Sequence, residues 1–261
     1  MRYLRLLSVF YKYSIAQELE YRVNFFANAF MSVFWVGWSI ASISIFFQHR
    51  DKMGDWTYPE VLVVVGLFTF FHGVLEAFLR PNVGAVVEQV RDGTFDFVLT
   101  KPVNSQFISS LRTIVIWRLV DMLIGLGVVV YALRLMNATP SLAQIASFAA
   151  MLIVGAVMIY SIWLAMVSLA FWFVKIDNFT ELFYSFYEAG RYPVTIYSGV
   201  VRALLTFVVP IAFVTTFPAS ALLGRLDETT LYIGLILGGG LFIVSSRLWH
   251  FAVNHYSSAS S

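Results

Sequence analysis

A few ionisable residues lie within or at the ends of the long apolar runs of this sequence. Glu76 and Arg80 are four residues apart, and Arg118 and Asp121 are three apart, so the members of each pair can meet on one face of a helix. A lone charge at the centre of a bilayer costs at least about 2.5–3.5 kcal/mol, so charges there are usually paired. We predict two intramembrane ion pairs, which serve either as structural contacts or in a proton relay.

Other kinds of site chemistry find little support in the sequence. His72 lies four residues before Glu76, a spacing that suits a metal ion, but no third ligand is nearby. There is no HExxH zinc motif and no nucleophile elbow, and no lysine is followed by Ser or Thr as in a P-loop. We therefore predict no catalytic, metal or cofactor-binding residues on this chain, so that any ATP is hydrolysed by another subunit.

The composition is that of an integral membrane protein. Hydrophobic residues make up 59% of the chain, charged residues 12%, and the mean hydropathy is +0.79, whereas soluble domains contain about 25% charged residues. The 261 residues suffice for six spanning helices of about 20 apolar residues with short loops. The net charge of +2 gives no argument for a nucleic-acid partner.

We predict an all-α membrane protein that forms a single domain over residues 1–261. Residues 1–22 are expected to form an interfacial helix, because their apolar side chains fall on one stripe. Two polar segments, 80–112 and 175–198, and a short stretch, 218–230, separate some of the spans. The six spans are predicted at 23–47, 59–79, 113–135, 142–174, 199–217 and 231–251.

The distribution of Lys and Arg orients these spans. With the N-terminus in the cytoplasm, the cytoplasmic segments hold all but four of the 17 basic residues, the exceptions being Arg50, Lys52, Arg134 and Arg225. Basic residues are retained on the cytoplasmic side of a membrane. We therefore expect both termini and both polar segments, 80–112 and 175–198, in the cytoplasm.

Segment 80–112 is the internal stretch with the most charge. It is predicted to begin as a short amphipathic helix that Asp92-Gly93 ends, since Gly commonly follows a helix terminus. The apolar side of that helix is Val83, Val86, Val87 and Val90. The next residues alternate, with Phe95, Phe97 and Leu99 against Asp96, Val98 and Thr100. A structured loop of this length usually has a function, although it could serve only to join two spans.

Two stretches carry a family resemblance. Residues 188–199 (EAGRYPVTIYSG) and 204–219 (LLTFVVPIAFVTTFPA) together look like the signature of type-2 ABC exporter permeases. More narrowly, they resemble the small six-span bacterial branch that includes antibiotic and viologen export permeases. Residues 90–103 (VRDGTFDFVLTKPV) are similar to the Gly-acidic-Leu-Pro segment that this family has between spans two and three.

The resemblance implies a permease subunit that forms half of an export pathway for an amphipathic, drug-like or lipid-like substrate in the bacterial inner membrane. A separate nucleotide-binding subunit would hold ATP and Mg²⁺ and contact the interfacial helix and segment 80–112. The implied coupling contacts are Glu88, Arg91, Asp92, Gly93 and Asp96. A second permease, identical or related, would face this one.

The resemblance also assigns two smaller features. Arg191, Tyr192 and Pro193 would form a cytoplasmic elbow ahead of the fifth span. Residues 218–230 would form a short re-entrant external helix before the sixth.

Two other classes of protein stay open from the residues alone. A membrane scaffold or assembly protein needs no transport path, which agrees with the few polar groups inside the predicted spans. A membrane-embedded enzyme acting on lipid would need a catalytic constellation that the sequence lacks. Copurification with an ATPase would separate the exporter subunit from both. A pathway short of buried charges would favour amphipathic or aromatic cargo over sugars and ions.

Overall fold

The architecture is taken from a computed structural model that describes residues 2–20, 22–173 and 177–256. Within these ranges the regular structure is helical, apart from an isolated bridge between Met53 and Trp56. The α-helices are α1 (Arg2–Glu20), α2 (Arg22–His49), α3 (Tyr58–Val74), α4 (Arg80–Arg91), α5 (Asp96–Leu99), α6 (Ser105–Leu111), α7 (Leu119–Leu135), α8 (Leu142–Leu169), α9 (Asp177–Ala189), α10 (Gly199–Ala203), α11 (Thr216–Leu222) and α12 (Glu228–Asn254). The predicted all-α membrane fold is confirmed.

Five stretches of the described chain are long and apolar enough to cross a membrane. The first two are α2 and the continuous stretch of α3 and α4. The third is Ile116–Leu135, which includes α7, and the last two are α8 and α12. These stretches overlap the predicted spans 23–47, 59–79, 113–135, 142–174 and 231–251. The remaining apolar pair of helical stretches, Gly199–Val208 and Ile211–Leu222, is bent by 66°.

Helix α3 lies at the centre of the bundle, and its closest neighbour is α7. Consecutive residues 61–65 of α3 are buried on all sides. A Cβ atom on Gly125 of α7 would lie only 2.5 Å from the carbonyl oxygen of Gly66, and one on Gly66 would lie 2.7 Å from the carbonyl oxygen of Gly125. Glycine at both positions therefore lets the two backbones touch, as small residues do at membrane helix crossings.

The apolar run predicted as a fifth span, 199–217, forms the first arm and the bend of a hairpin instead. Pro210 lies in the bend, where it cannot continue a helix because it has no N–H donor. Beyond the bend, the carbonyl oxygen of Phe213 approaches Gly155 near the middle of α8. The return arm then ends beside the start of α3, where Arg225 is hydrogen-bonded to Glu60.

The first arm of this hairpin begins at the same end of the bundle. Thr195, shortly before Gly199, accepts a hydrogen bond from Trp56 at 2.8 Å, and Trp56 lies two residues before the start of α3. Both arms thus start and finish near the beginning of α3, an arrangement that is compatible with a re-entrant segment. Apolar composition alone could not distinguish this buried hairpin from a span.

The polar segment predicted as a second cytoplasmic loop, 175–198, runs alongside α3 over its described residues. The Tyr184 hydroxyl donates to Glu76 at 2.6 Å, near the C-terminal end of the span. The Tyr187 hydroxyl donates to the carbonyl oxygen of Phe68 at 2.8 Å, near its middle. Together with the contact of Thr195 at the start of α3, these bonds show that 184–195 crosses the same layer. The loop prediction is wrong for these residues, and its residues 175 and 176 lie outside the described ranges.

Tyrosine explains that error. Hydropathy treats its hydroxyl as polar, whereas inside a protein the ring packs as a large apolar group once the hydroxyl has a partner. Tyr187 is fully buried in this way, with its ring stacked on Phe68 at 4.8 Å between centroids. This segment therefore packs along α3 beside the long apolar helices.

Segment 80–112 folds into three helices with their own core. Helix α4 ends as predicted, with Gly93 in the left-handed region at φ 69°. The alternating stretch after it is helical, since Phe95 and Val98 are buried three residues apart while Phe97 is exposed. The core consists of Val86, Phe95, Val98 and Ile108 with Leu164, Val167 and Trp249 from the ends of α8 and α12.

The backbone contact between α3 and α7 gives a stability prediction. Gly125→Ala should separate the two helices and lower the free energy of unfolding by about 1–3 kcal/mol, as overpacked cores do. The matched control is Gly127→Ala on the same helix, because nothing lies within 4 Å of a Cβ atom there. Thermal unfolding of the detergent-purified protein measures the difference. Equal midpoints for the two variants would contradict the close crossing.

Candidate functional site

Glu76 is the centre of a buried charge cluster. Its carboxylate accepts hydrogen bonds from Arg80 Nη1 at 3.0 and 3.1 Å, and its Oε2 lies 3.0 Å from Arg118 Nη2. The Tyr184 hydroxyl completes the shell. Because Glu76 is buried, these partners replace the water that would otherwise solvate its charge.

Arg118 connects this carboxylate to a second one. Its Nη1 donates to Asp121 Oδ2 at 3.2 Å, and its guanidinium lies over the Trp117 ring, 4.0 Å from the centroid. His72 Nδ1 lies 3.7 Å from the same Asp121 oxygen. Both predicted pairs are therefore present, and Arg118 joins them into one network.

A π-helical turn places Glu76 in this network. Residues Leu75–Leu79 form the turn, inside the otherwise continuous helix Tyr58–Arg91. The wider turn changes the direction of the side chains that it carries, and such turns are frequent at functional sites. Glu76 thereby contacts Arg118, directly before α7, and Tyr184 on α9.

A cavity of about 470 Å³ adjoins the charge network. It is bounded by α2, α3, the residues that begin α7 and the end of α9. Its polar lining is Asn28, Ser32, Ser39, Thr69, His72, Arg118, Asp121, Glu188 and Arg191, and its apolar lining is Met31, Trp35, Val36, Phe68 and Trp117. Phe68 and Thr69 lie near the middle of the predicted span 59–79, whereas Arg118 contacts Glu76 near its end, so the cavity extends from about the middle of the span toward α4.

The residues predicted as a cytoplasmic elbow lie at this cavity and beyond it. The Arg191 guanidinium is 5.2 Å from the centre of the Phe68 ring. Tyr192 packs against the apolar residues at the beginning of α3, and Pro193 is buried. The predicted position is therefore corrected, because at Arg191 the chain has already reached the middle of α3.

The five predicted coupling residues are Glu88, Arg91, Asp92, Gly93 and Asp96. The structure places them together at the end of α4 and in the turn after it. Glu88, Arg91 and Asp92 are exposed, while Gly93 and Asp96 are half-buried. Arg91 and Asp92 form an exposed ion pair at 3.4 Å, which contributes little to stability. Phe97, which sequence reasoning did not select, is 70% exposed beside them.

The comparison with protein families identifies the chain. Residues 33–260 match a family described as ABC-2 family transporter protein. The chain belongs to the ABC-2 transporter family. The comparisons with curated proteins and with solved structures gave no match.

As an ABC-2 permease, the chain is a multi-pass membrane protein of the ABC transporters. Members of this family normally carry no enzymatic activity, since the ATPase is a partner, and they generally work as dimers. Over the described ranges of this ABC-2 permease, no group of three or more His, Asp and Glu side chains is arranged to hold a metal ion.

Several contacts of this ABC-2 permease escaped the sequence analysis. Tyr184 and Glu76 are 108 residues apart, and Arg225 and Glu60 are 165 apart, so no spacing rule connects them. The sequence did contain one signal for a structural role of Glu60. Thr57-Tyr-Pro-Glu60 has the capping-box pattern of a helix start, and Glu60 accepts a hydrogen bond from the Thr57 N–H at 2.8 Å.

The charge cluster gives a second stability prediction. Glu76→Gln removes the charge that Arg80 and Arg118 share, and breaking a buried pair in this way typically costs about 3–5 kcal/mol. We expect a markedly lower unfolding midpoint in detergent. Glu88→Gln is the control, since Glu88 is exposed on the same helical stretch. If both variants unfold like the unaltered ABC-2 permease, the cluster does not stabilise the fold.

Proposed function

We propose that this chain is the permease subunit of an ATP-driven exporter and forms half of the pathway for an amphipathic, drug-like or lipid-like substrate. A separate nucleotide-binding subunit that holds ATP and Mg²⁺ drives it, and a second permease, identical or related, completes the pathway. The family assignment supports this role. The structural observation that carries it is the continuity of α3 with α4.

The continuous helix Tyr58–Arg91 connects the two candidate sites. It has 34 residues and is therefore about 50 Å long, whereas the hydrocarbon core of a bilayer is about 30 Å thick. Its excess length carries Glu88 and Arg91 at one end, and its membrane part lines the cavity with Thr69 and His72. A partner that binds the exposed end acts on the cavity wall through one helix.

Packing around segment 80–112 supports such transmission. Phe95 lies edge-on to Trp249 at 6.0 Å and to Phe171 at 5.2 Å between centroids, so the turn after α4 is fixed to the ends of α8 and α12. The charged residues Arg91 and Asp92 and the exposed ring of Phe97 project from this rigid base. An ATPase surface with complementary charges and an apolar recess would fit them.

The cavity supports a substrate with a polar head and an apolar body. The sequence suggested a pathway short of charges, whereas Asp121, Arg118, Glu188 and Arg191 line this space. Trp35 and Trp117 provide aromatic surface beside them. Sites with a few polar groups in an apolar wall orient amphipathic ligands.

Energy coupling in this proposal is a shift between two populated states. ATP binding to the partner favours the state that the ATPase dimer binds better, and only that difference in affinity can move the permease. Arg191 and Arg202 lie in the segment beside α3 and in the hairpin, so we leave them out of the count of basic residues. The excess of Lys and Arg on the predicted cytoplasmic side remains without them. It supports both termini in the cytoplasm, and the family resemblance leads us to place the chain in the bacterial inner membrane.

A scaffold without a transport path is the alternative from another class. A scaffold has no use for charged side chains around an open space beside a membrane span, because such groups cost free energy there. Purification of the tagged chain from its native membrane in mild detergent tests this directly. Stoichiometric recovery of a P-loop ATPase supports the exporter, and repeated recovery of the chain alone supports the scaffold.

Charge reversal at the end of α4 tests the coupling surface. Asp92→Lys places a cation at a helix C-terminus, which the helix dipole favours, so the helix itself should persist. We expect the amount of co-purified ATPase to fall by about tenfold or more, which corresponds to about 1.4 kcal/mol of binding free energy. Arg91→Glu should act in the same direction. Quantitative immunoblotting of the purified complex measures both.

The control for these variants is Arg134→Glu, an exposed residue in the last turn of α7, at the opposite end of the bundle. It should leave ATPase recovery unchanged. Unaltered recovery and ATP hydrolysis in both Asp92→Lys and Arg91→Glu would remove this surface from the proposal.

A further inference from the structure

A strap, residues 113–117, lies between segment 80–112 and helix α7; it is irregular over 113–115 and enters a 3₁₀ turn at Ile116. Its backbone N–H groups are hydrogen-bonded to two different parts of the chain. The N–H of Thr113 donates to Asn82 Oδ1 at 2.9 Å, and that of Val115 donates to the Ala77 carbonyl oxygen at 3.0 Å. These two bonds fix the strap to the long helix Tyr58–Arg91.

The other N–H groups of the strap donate to helix α1. The N–H of Ile114 donates to Ser14 Oγ at 3.3 Å. The N–H groups of Ile116 and Trp117 donate to the two carboxylate oxygens of Glu18, at 2.8 and 3.1 Å. Hydrogen bonds to a charged acceptor are about twice as strong as neutral ones. Glu18 is therefore the strongest link between α1 and the strap.

The rest of α1 is loosely held. Tyr3 touches Phe107 edge-on at 4.7 Å between centroids, but most apolar side chains of α1 are exposed. They include Leu4, Val9, Tyr13 and Ile15. Besides its covalent connection to α2, helix α1 can therefore pass movement to the remainder of the chain where Ser14 and Glu18 are hydrogen-bonded to the strap.

The strap ends at the charge network. Trp117 is followed by Arg118, which binds both Glu76 and Asp121 and lines the cavity. We infer that Glu18 is a positioning residue that transmits movement of helix α1 to Arg118, as a second mechanical input beside segment 80–112. This inference rests on the proposed function, and on the ATPase contact with the interfacial helix α1 that the family resemblance implies.

Two variants remove the Glu18 contact from opposite sides. Glu18→Gln keeps the shape of the side chain but presents an NH₂ group where Trp117 or Ile116 needs an acceptor. Ile116→Pro deletes one donor without bending the chain, since Ile116 begins a 3₁₀ turn and Val115 before it is extended at φ −94° and ψ 101°. The controls are Gln17→Ala, whose side chain bonds only to Tyr13 on α1 among the described residues, and Ile116→Val.

The reporter substitution is Ser39→Cys, because Ser39 lines the cavity and the chain has no cysteine of its own. The permease is purified with its ATPase and reconstituted into liposomes. A membrane-impermeant cationic methanethiosulfonate then labels the reporter in the presence of ATP with vanadate or of ADP alone. Co-purified ATPase and basal ATP hydrolysis are measured on the same samples.

We expect the nucleotide-dependent change in labelling rate to fall about tenfold in Glu18→Gln, with ATPase recovery and basal hydrolysis unchanged. Ile116→Pro should give the same loss, and the double variant should be no worse than either single one, because both remove the same contact. Gln17→Ala and Ile116→Val should respond like the unaltered permease.

Two results would overturn the inference. One is an unchanged labelling response in Glu18→Gln, or losses that multiply in the double variant. The other is a parallel fall in labelling response, ATPase recovery and hydrolysis, which would make Glu18 a folding contact only. If the reporter without further substitutions shows no response to nucleotide, the proposed function itself fails, so the two failures are distinguishable.

Discussion

The burial of the Glu76 carboxylate is the constraint on which the rest of the bundle depends. A charge inside the membrane layer must be matched by protein groups, because no bulk water is available to solvate it. Arg80, Arg118 and Tyr184 supply those groups from three parts of the chain. Glu76 is buried among these partners, whereas the Arg80 side chain still reaches solvent. The long helix, the start of α7 and α9 are thereby held at one level.

The backbone of the strap is subject to the same constraint, because its buried polar groups also need partners within the protein. It leaves helical geometry next to the charge cluster, so its N–H groups lose the partners that a helix would provide. Asn82, Ser14 and Glu18 replace those partners. A segment whose donors are used on both sides cannot shift without breaking several bonds. Irregular backbone is thus turned into a junction between the interfacial helix, the long helix and the cavity.

The features that depend on residues close together in the sequence were predicted correctly. The valine stripe and the Asp92-Gly93 stop gave the end of α4 correctly, because amphipathic periodicity and the left-handed glycine act over a few residues. The spacing of Glu76 with Arg80 and of Arg118 with Asp121 gave two pairs that the structure contains. Their union through Arg118, and the role of Tyr184, depend on which helices become neighbours. Hydropathy also failed where apolar residues form a hairpin and where tyrosines cross the membrane layer, since it records neither depth nor pairing.

The crossing of Gly66 and Gly125 gives the long helix an unequal pair of arms. From that contact the helix extends 25 residues to Arg91 but only eight to Tyr58, about 37 Å against about 12 Å. If the two glycines act as a fulcrum, the helix works as a lever with a ratio of about three. Glu60 lies six residues, or about 9 Å, from that fulcrum, so a displacement of the charged end produces an about fourfold smaller movement there, with correspondingly greater force, where Glu60 holds the hairpin through Arg225.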